Sequence, residues 1–367
     1  MVINLKSQTD LSGFYIVYEG STNLERRGVY GISHLSEHLF CKSYEHLRDE
    51  FERKGIDWNA YTSDNEIVFH FKGLDEYLSE YRDVVLKLLL EFLPTEEQFN
   101  NEKRIVIEEY KDCFNDQAYS HDLNLSRKLL NNFSPIGSLV DLESMTHEDM
   151  LDFINLQYFA PSKIINVSKH SDFNTDIIFN TNAIDYEIEY VAEHDTEYEL
   201  GNEFKDKTSI ILLSSIITKD FNYIKFLCEM LGGGLQSPLY QEVREKRGLA
   251  YSVQCHLSRF NTEAIIGIYV QTSNDKVAET IETIEMVLND ADKYLTQERF
   301  DIVRDWYIVE KKKAEINRYL RVTKWIEPNG WCVDDIIETI TLDKVKAIYN
   351  TYFSPNTMYI STDKTEF

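Results

Sequence analysis

Two histidines and a glutamate in the segment SHLSEHLF stand at a spacing that suits metal chemistry. His34 and His38 are four residues apart, so on a helix they share one face, one turn apart. That arrangement lets two imidazoles meet a single Zn²⁺ at about 2.0–2.1 Å. Glu37 is three residues from His34 and shares the face, where its carboxylate can act as a general base toward water. The order H-x-x-E-H reverses the more familiar H-E-x-x-H and is a catalytic motif in its own right. A helix with two exposed histidines would show the same spacing. The flanking GVYGIS and LF suit a partly buried helix instead.

A catalytic zinc usually has three protein ligands and one open position, so a third donor must come from elsewhere. The segment NEKRIVIEEYKDCF reads as a helix carrying Glu102, Glu108 and Glu109. Glu102 and Glu109 are two turns apart and share a stripe with Val106 and Cys113, which faces the interior. Glu108 shares its stripe with Arg104 and Asp112, a solvated face. A ligand has to lie inside, so Glu109 is the expected third ligand. Glu102, one position back on the stripe, is expected to hydrogen-bond a ligand from behind. A purely structural zinc would need a fourth closed ligand, and it would leave Glu37 without a use.

The elements that must position these residues read as α+β. In the first half FYIVYEG and NEIVFHFKG are strands, the HLSEH region is a helix, and two helices follow around 75–93 and 95–116. In the second half TSIILLSS and AIIGIYVQT are strands, while FNYIKFLCEML, ETIETIEMVL and QERFDIVRDWYIVEKKK are helical. Helices gathered in blocks between strands predict antiparallel sheets, not a doubly wound parallel sheet. Short words also recur in the same order. YFAP ends at Pro161 and YFSP at Pro355; TEEQF starts at Thr95 and TQERF at Thr296; Ala60–Tyr61 is echoed by Ala250–Tyr251. The expectation is two homologous domains, 1–183 and 184–367, each an antiparallel sheet packed with helices. The acidic stretch around 180–200 is the joint, either a plain linker or one with an edge strand at Tyr186, Ile188 and Tyr190. The second half lacks H-x-x-E-H, so one zinc per chain is expected.

Composition bounds the rest. With 367 residues, 43% of them hydrophobic, each half can bury a core. A net charge of −25 argues against nucleic acid and against an anionic membrane surface, both of which are recognised mainly by Lys and Arg. Val84–Leu93 is the longest greasy run; it is too short and too charged to span a bilayer, and reads as a buried helix. Cys41, Cys113, Cys228, Cys255 and Cys332 are odd in number and form no CxxC, which suits reduced thiols in the cytoplasm. No secretory or transit pattern marks MVINLKSQTD. Gly232–Gly234 are not a phosphate loop, since no GK[ST] follows; they are expected to permit a tight turn or close helix packing.

On these residues the chain resembles the M16 family, the pitrilysin-like zinc metallopeptidases that include the mitochondrial processing peptidase and insulin-degrading enzyme. In that family HxxEH is followed by a ligand Glu near the end of an ExxxxxxE, a pattern that Glu102 and Glu109 fill. The family's NAYTS segment is matched by Asn59, Ala60, Tyr61, Thr62 and Ser63, and LGGGLQSPLYQEVREKRGLAYSV resembles its C-terminal signature. The resemblance implies a half-shell of two domains and hydrolysis of peptides inside a chamber, with a homodimer closing it. It implies that Glu37 shuttles the proton, Arg244 holds substrate oxygens and Tyr251 stabilises the oxyanion. It also implies that the strand at Asn59–Ala60 pairs with the substrate backbone. The alternative is a non-catalytic scaffold or peptide-binding subunit, but such members typically lose motif residues that this chain retains.

Overall fold

A computed structural model describes residues 1–115, 135–158, 160–179, 207–213, 219–260, 263–316, 322, 325–326, 333–353 and 359–362. The expected joint, with Tyr186, Ile188, Tyr190 and the 183/184 boundary, lies outside the described residues, as do Cys332 and Pro355. The described residues fall into two compact units. The first holds residues up to 113, those from 135 to 179, and Val322 and Ile326; the second holds the described residues from 207 to 315 and from 333 onward. Among the described residues no helix is long and apolar enough to cross a membrane.

The first unit is built on a sheet of β1 (Val2–Lys6), β2 (Leu11–Glu19), β3 (Asp57–Thr62), β4 (Glu66–Leu74) and β5 (Lys163–Ser168), in the order β1-β5-β2-β4-β3. The expected antiparallel sheet is corrected at one edge. β1 runs parallel to β5, with Val2 opposite Ile164, while the other neighbours are antiparallel. A parallel pair needs a long crossover, and most of the unit's chain lies between these two strands. All seven interior positions of β2 are buried, from Ser12 to Tyr18, so burial is continuous rather than alternating, as in a strand covered on both faces.

Among the described residues the α-helices of this unit are α1 (Ile32–Lys42), α2 (Arg48–Lys54), α3 (Asp75–Glu91), α4 (Glu96–Phe114), α5 (Leu139–Ser144) and α6 (His147–Gln157). The run expected to be a buried helix lies mostly in α3, which is amphipathic. It buries Val85, Leu86 and Leu89, while Val84 is exposed.

α1 has two unlike faces. Ile32, Leu35, Ser36, Leu39 and Phe40 are buried in the core, each large apolar one contributing about 1.5–3 kcal/mol. Phe40 stacks on Tyr158 with ring centroids 3.9 Å apart, and Ser36 Oγ bonds the Tyr158 hydroxyl at 2.9 Å. The helix begins at Gly31, in the left-handed region at φ 98°. The Glu25 carboxylate accepts from the backbone N–H groups of Gly31 and Ser33 at 3.0 and 2.9 Å, satisfying donors that a helix start leaves open.

The second unit has β6 (Lys207–Leu213), β7 (Ala250–Phe260), β8 (Glu263–Ser273) and β9 (Tyr359–Thr362), all antiparallel, in the order β7-β8-β6-β9. Its helices are α7 (Phe221–Gly232), a π-helical turn Tyr240–Lys246, α8 (Val277–Asn289), α9 (Ala291–Tyr294), α10 (Gln297–Ile316) and α11 (Leu342–Tyr352). With β1 set aside, the two units share one strand order: β5-β2-β4-β3 corresponds to β9-β6-β8-β7. α1 and α7 follow equivalent strands. Gly232, the last residue of α7, serves close packing, since a Cβ there would lie 2.6 Å from the Cys255 backbone nitrogen, while Gly234 takes the left-handed conformation at φ 75° with open space around it. The buried Arg299 guanidinium donates to the carbonyls of Glu229, Met230 and Gly233, closing the end of α7.

Candidate metal centre

The second face of α1 carries His34, Glu37, His38 and Cys41, and it meets α4. His34 Nε2 lies 3.8 Å from Glu109 Oε2, and His38 Nε2 lies 3.4 Å from the same oxygen. One donor atom from each of the three residues lies within 4.8 Å of the others. A tetrahedral zinc with ligands at about 2.0–2.1 Å separates its donors by roughly 3.3–3.4 Å, so small rotations bring this set onto one ion. The two imidazole planes cross at 89°, with centroids 4.7 Å apart, so their nitrogens converge without stacking.

The ring states fit the same use. Burial, with the His38 charge behind it, lowers the His34 pKa to about 4. Its imidazole is therefore neutral at physiological pH, the form a metal requires. His34 Nδ1 is buried with no hydrogen-bond partner among the described residues, so the ring's polar contacts run through Nε2. His38 is oriented from behind: its Nδ1 lies 3.6 Å from Glu102 Oε2, and Glu102 Oε1 lies 3.3 Å from Lys42 Nζ. A carboxylate on the far nitrogen favours the tautomer that leaves Nε2 free for a metal.

The structure separates the two acids of the α4 stripe. The Glu102 side chain is only 7% exposed, but that of Glu109 is 43% exposed. The expectation that Glu109 lies inside is corrected: Glu109 lies on the open side of the two histidines, and Glu102 is the interior acid. Glu108 points to solvent and pairs with Lys111.

Glu37 is buried and makes no contact that would use it as a third ligand. Its Oε2 accepts from Thr62 Oγ1 at 3.1 Å, and the Cys41 thiol lies 3.7 Å from Oε1. Burial pushes the Glu37 carboxyl above its ordinary value, which suits a group that must take up a proton. Burial also pushes the Cys41 thiol far up, so it stays protonated and can donate. Thr62 and Cys41 are the residues that reading the sequence for chemistry misses. The signals were present: Cys41 is one helical turn after Glu37, and Thr62 belongs to the NAYTS word.

Asn59 and Ala60 lie in β3, the outermost strand of its sheet, opposite His70 and Phe69 of β4. Asn59 is exposed, and its Oδ1 accepts from the Ala60 N–H at 2.9 Å. In the second unit Arg244 and Tyr251 come together. The guanidinium lies 4.4 Å from the Tyr251 ring centroid and 4.9 Å from that of Tyr240, and its Nη1 donates to the Tyr251 carbonyl at 2.7 Å. Tyr251 is 81% exposed, far more than a tyrosine of the core.

The sequence model of Insulinase (Peptidase family M16) matches residues 6–134, and that of the Peptidase M16 inactive domain matches residues 144–305. The chain belongs to the M16 peptidase family. A Rickettsia felis protein named as an uncharacterized zinc protease is 25% identical, over 88% of this M16 chain and 84% of its own length. The zinc protease YmxG of Bacillus subtilis, likewise named uncharacterized, is 27% identical over 71% of this chain and 68% of its own. The fold is that of a Helicobacter pylori protease, with a TM-score of 0.79, 16% identity, and coverage of 98% of this chain and 96% of that one. His34, His38 and Glu109 lie in the segment matched by the first model, and Arg244 and Tyr251 lie in the segment matched by the second.

Proposed function

We propose that this M16 chain is a zinc-dependent endopeptidase that hydrolyses peptides or short unfolded segments, with one zinc held by His34, His38 and Glu109. The observation that carries this reading is the placement of Glu37. It is a buried carboxylate on the face of the metal donors, it is not required as a ligand, and Thr62 holds one of its oxygens. Zinc bound there supplies Lewis-acid polarisation of the scissile carbonyl and acidifies water toward a pKa of ~7. Thr62 and the Cys41 thiol hold the two Glu37 oxygens in place, and the carboxylate takes a proton from water and delivers it to the departing amide nitrogen. The substrate adds as a strand along the open edge of β3 at Asn59–Ala60, so recognition is mainly of backbone. Arg244 binds substrate carbonyl or carboxylate oxygens, and the Tyr251 hydroxyl donates to the oxyanion.

The test is a quenched fluorescent peptide library, assayed with and without a chelator. Glu37→Gln should retain zinc and lose at least about 10³-fold in kcat, because an amide cannot carry the proton. Near-normal turnover with zinc retained would reject the role. The proposed active form is a homodimer enclosing a chamber, in which Arg244 and Tyr251 of one chain serve the zinc of the other. Mixing inactive Glu37→Gln and Arg244→Ala chains should then restore part of the activity. Subunit exchange without restoration would reject the shared site.

A further inference from the structure

Beside the metal centre, and within the first unit, lies a cleft of about 520 Å³. Its walls are Glu37, His38, Cys41 and Lys42 of α1, Arg48 at the start of α2, Trp58 and Asn59 of β3, and Glu102 of α4. Glu45 also borders it. A space this close to the catalytic carboxylate takes a substrate side chain next to the scissile bond, provided a peptide adds to β3. The alternation of that strand supports the placement. Thr62 reaches Glu37, so Trp58, two steps of the same parity away, faces α1 as well. Trp58 is half-buried and packs edge-on against Tyr44, with centroids 5.6 Å apart, which makes it a firm wall.

The charges along this wall decide what the cleft prefers. The acids are largely engaged: Glu102 with His38 and Lys42, and Glu37 with Thr62 and Cys41. Lys42 is neutralised in turn, lying 3.3 Å from Glu102 and 3.9 Å from Glu45. Arg48 is different. It is exposed at the cleft and forms no ion pair or hydrogen bond with the described residues. An unpaired guanidinium is a site for a carboxylate, which it can grip with two parallel hydrogen bonds.

Resting on the peptidase reading above, we propose that this cleft selects substrates with an acidic side chain, Glu or Asp, beside the scissile bond. Arg48 pairs with the carboxylate, and Trp58 covers its methylene stem. Arg48 thereby determines specificity without taking part in the proton transfer.

The experiment uses the full-length zinc-loaded protein and C-terminally amidated fluorogenic peptides, so that the placed side chains are the only carboxylates. Glu and Gln are compared at each position around the cleaved bond. The expected result is a kcat/KM about tenfold higher for Glu than for Gln at one position, with the ratio reversed in Arg48→Glu. Arg53→Glu makes the same charge change further along α2, outside the cleft, and should leave the ratio as it is. Fluorescence anisotropy of the Glu and Gln peptides on the Glu37→Gln variant should show the same preference in Kd. Equal cleavage of both peptides, or an Arg48→Glu variant that keeps the preference, overturns the proposal while leaving the peptidase reading intact. Absence of any hydrolysis by the wild-type protein would instead remove the peptidase reading and this inference with it.

Discussion

α1 and α7 occupy the same place in two sheets whose strand orders agree once β1 is set aside, yet they are built for opposite ends. α7 buries Ile224, Phe226, Leu227, Cys228, Met230 and Leu231, a nearly continuous apolar surface. α1 gives only one face to the core. Its other face holds a buried carboxylate, an imidazole whose Nδ1 has no described partner, and a thiol kept protonated by burial. Burying such groups costs free energy that packing elsewhere must offset. The comparison teaches that one fold accepts either a two-faced helix or an apolar one at this place. The expected consequence is that α1 is the locally less stable of the two.

The sharpest way to break this contrast is to remove the metal donors of α1. His38→Ala should drop zinc from about one ion per chain to near none and abolish peptidase activity, as read by elemental analysis and peptide cleavage. Unchanged zinc in that variant would sink the ligand assignment. Cys228→Ala, a change inside α7, should leave zinc content alone.

A second experiment exchanges the characters of the helices. Cys228→Glu places an unpaired carboxylate at a site only 2% exposed and should cost about 3–5 kcal/mol in urea unfolding. Glu37→Leu makes α1 resemble α7 and should stabilise the metal-free protein by about 1 kcal/mol while ending activity. If the two substitutions shift stability equally, α1 is not the compromised helix.

The smallest effect concerns the start of α1. Burial pushes the Glu25 carboxyl up to about 7 from an ordinary 4.5, although the Gly31 and Ser33 N–H groups pull it down. Because the folded value lies above the unfolded one, protonation favours the folded state. The stabilisation from Glu25 is therefore complete below pH 4.5 and is lost as pH rises through 7. Melting temperature measured between pH 5 and 8 should fall more steeply in the wild type than in Glu25→Gln. Parallel curves would show that Glu25 stays ionised across the range.

Much of this protein was legible in one dimension. A helical period relates residues three or four apart with no knowledge of the rest of the chain, so His34, Glu37 and His38 declared themselves as one face. The same reasoning placed Glu102 and Glu109 on one stripe, and repeated words exposed two related halves whose strand orders agree. Relations between elements were beyond it. That β1 joins β5 in parallel, that AYSVQCHLSRF forms the edge strand β7, and that Thr62 reaches across from β3 to Glu37 depend on which elements dock and in what register. Register is set by packing of whole faces, and no local spacing encodes it. The division of labour between the two acids of α4 was decided there too. The helical stripe put both acids on one face and gave no reason for their unequal burial; docking against α1 buried Glu102 behind His38 while leaving Glu109 on the open side of the two histidines.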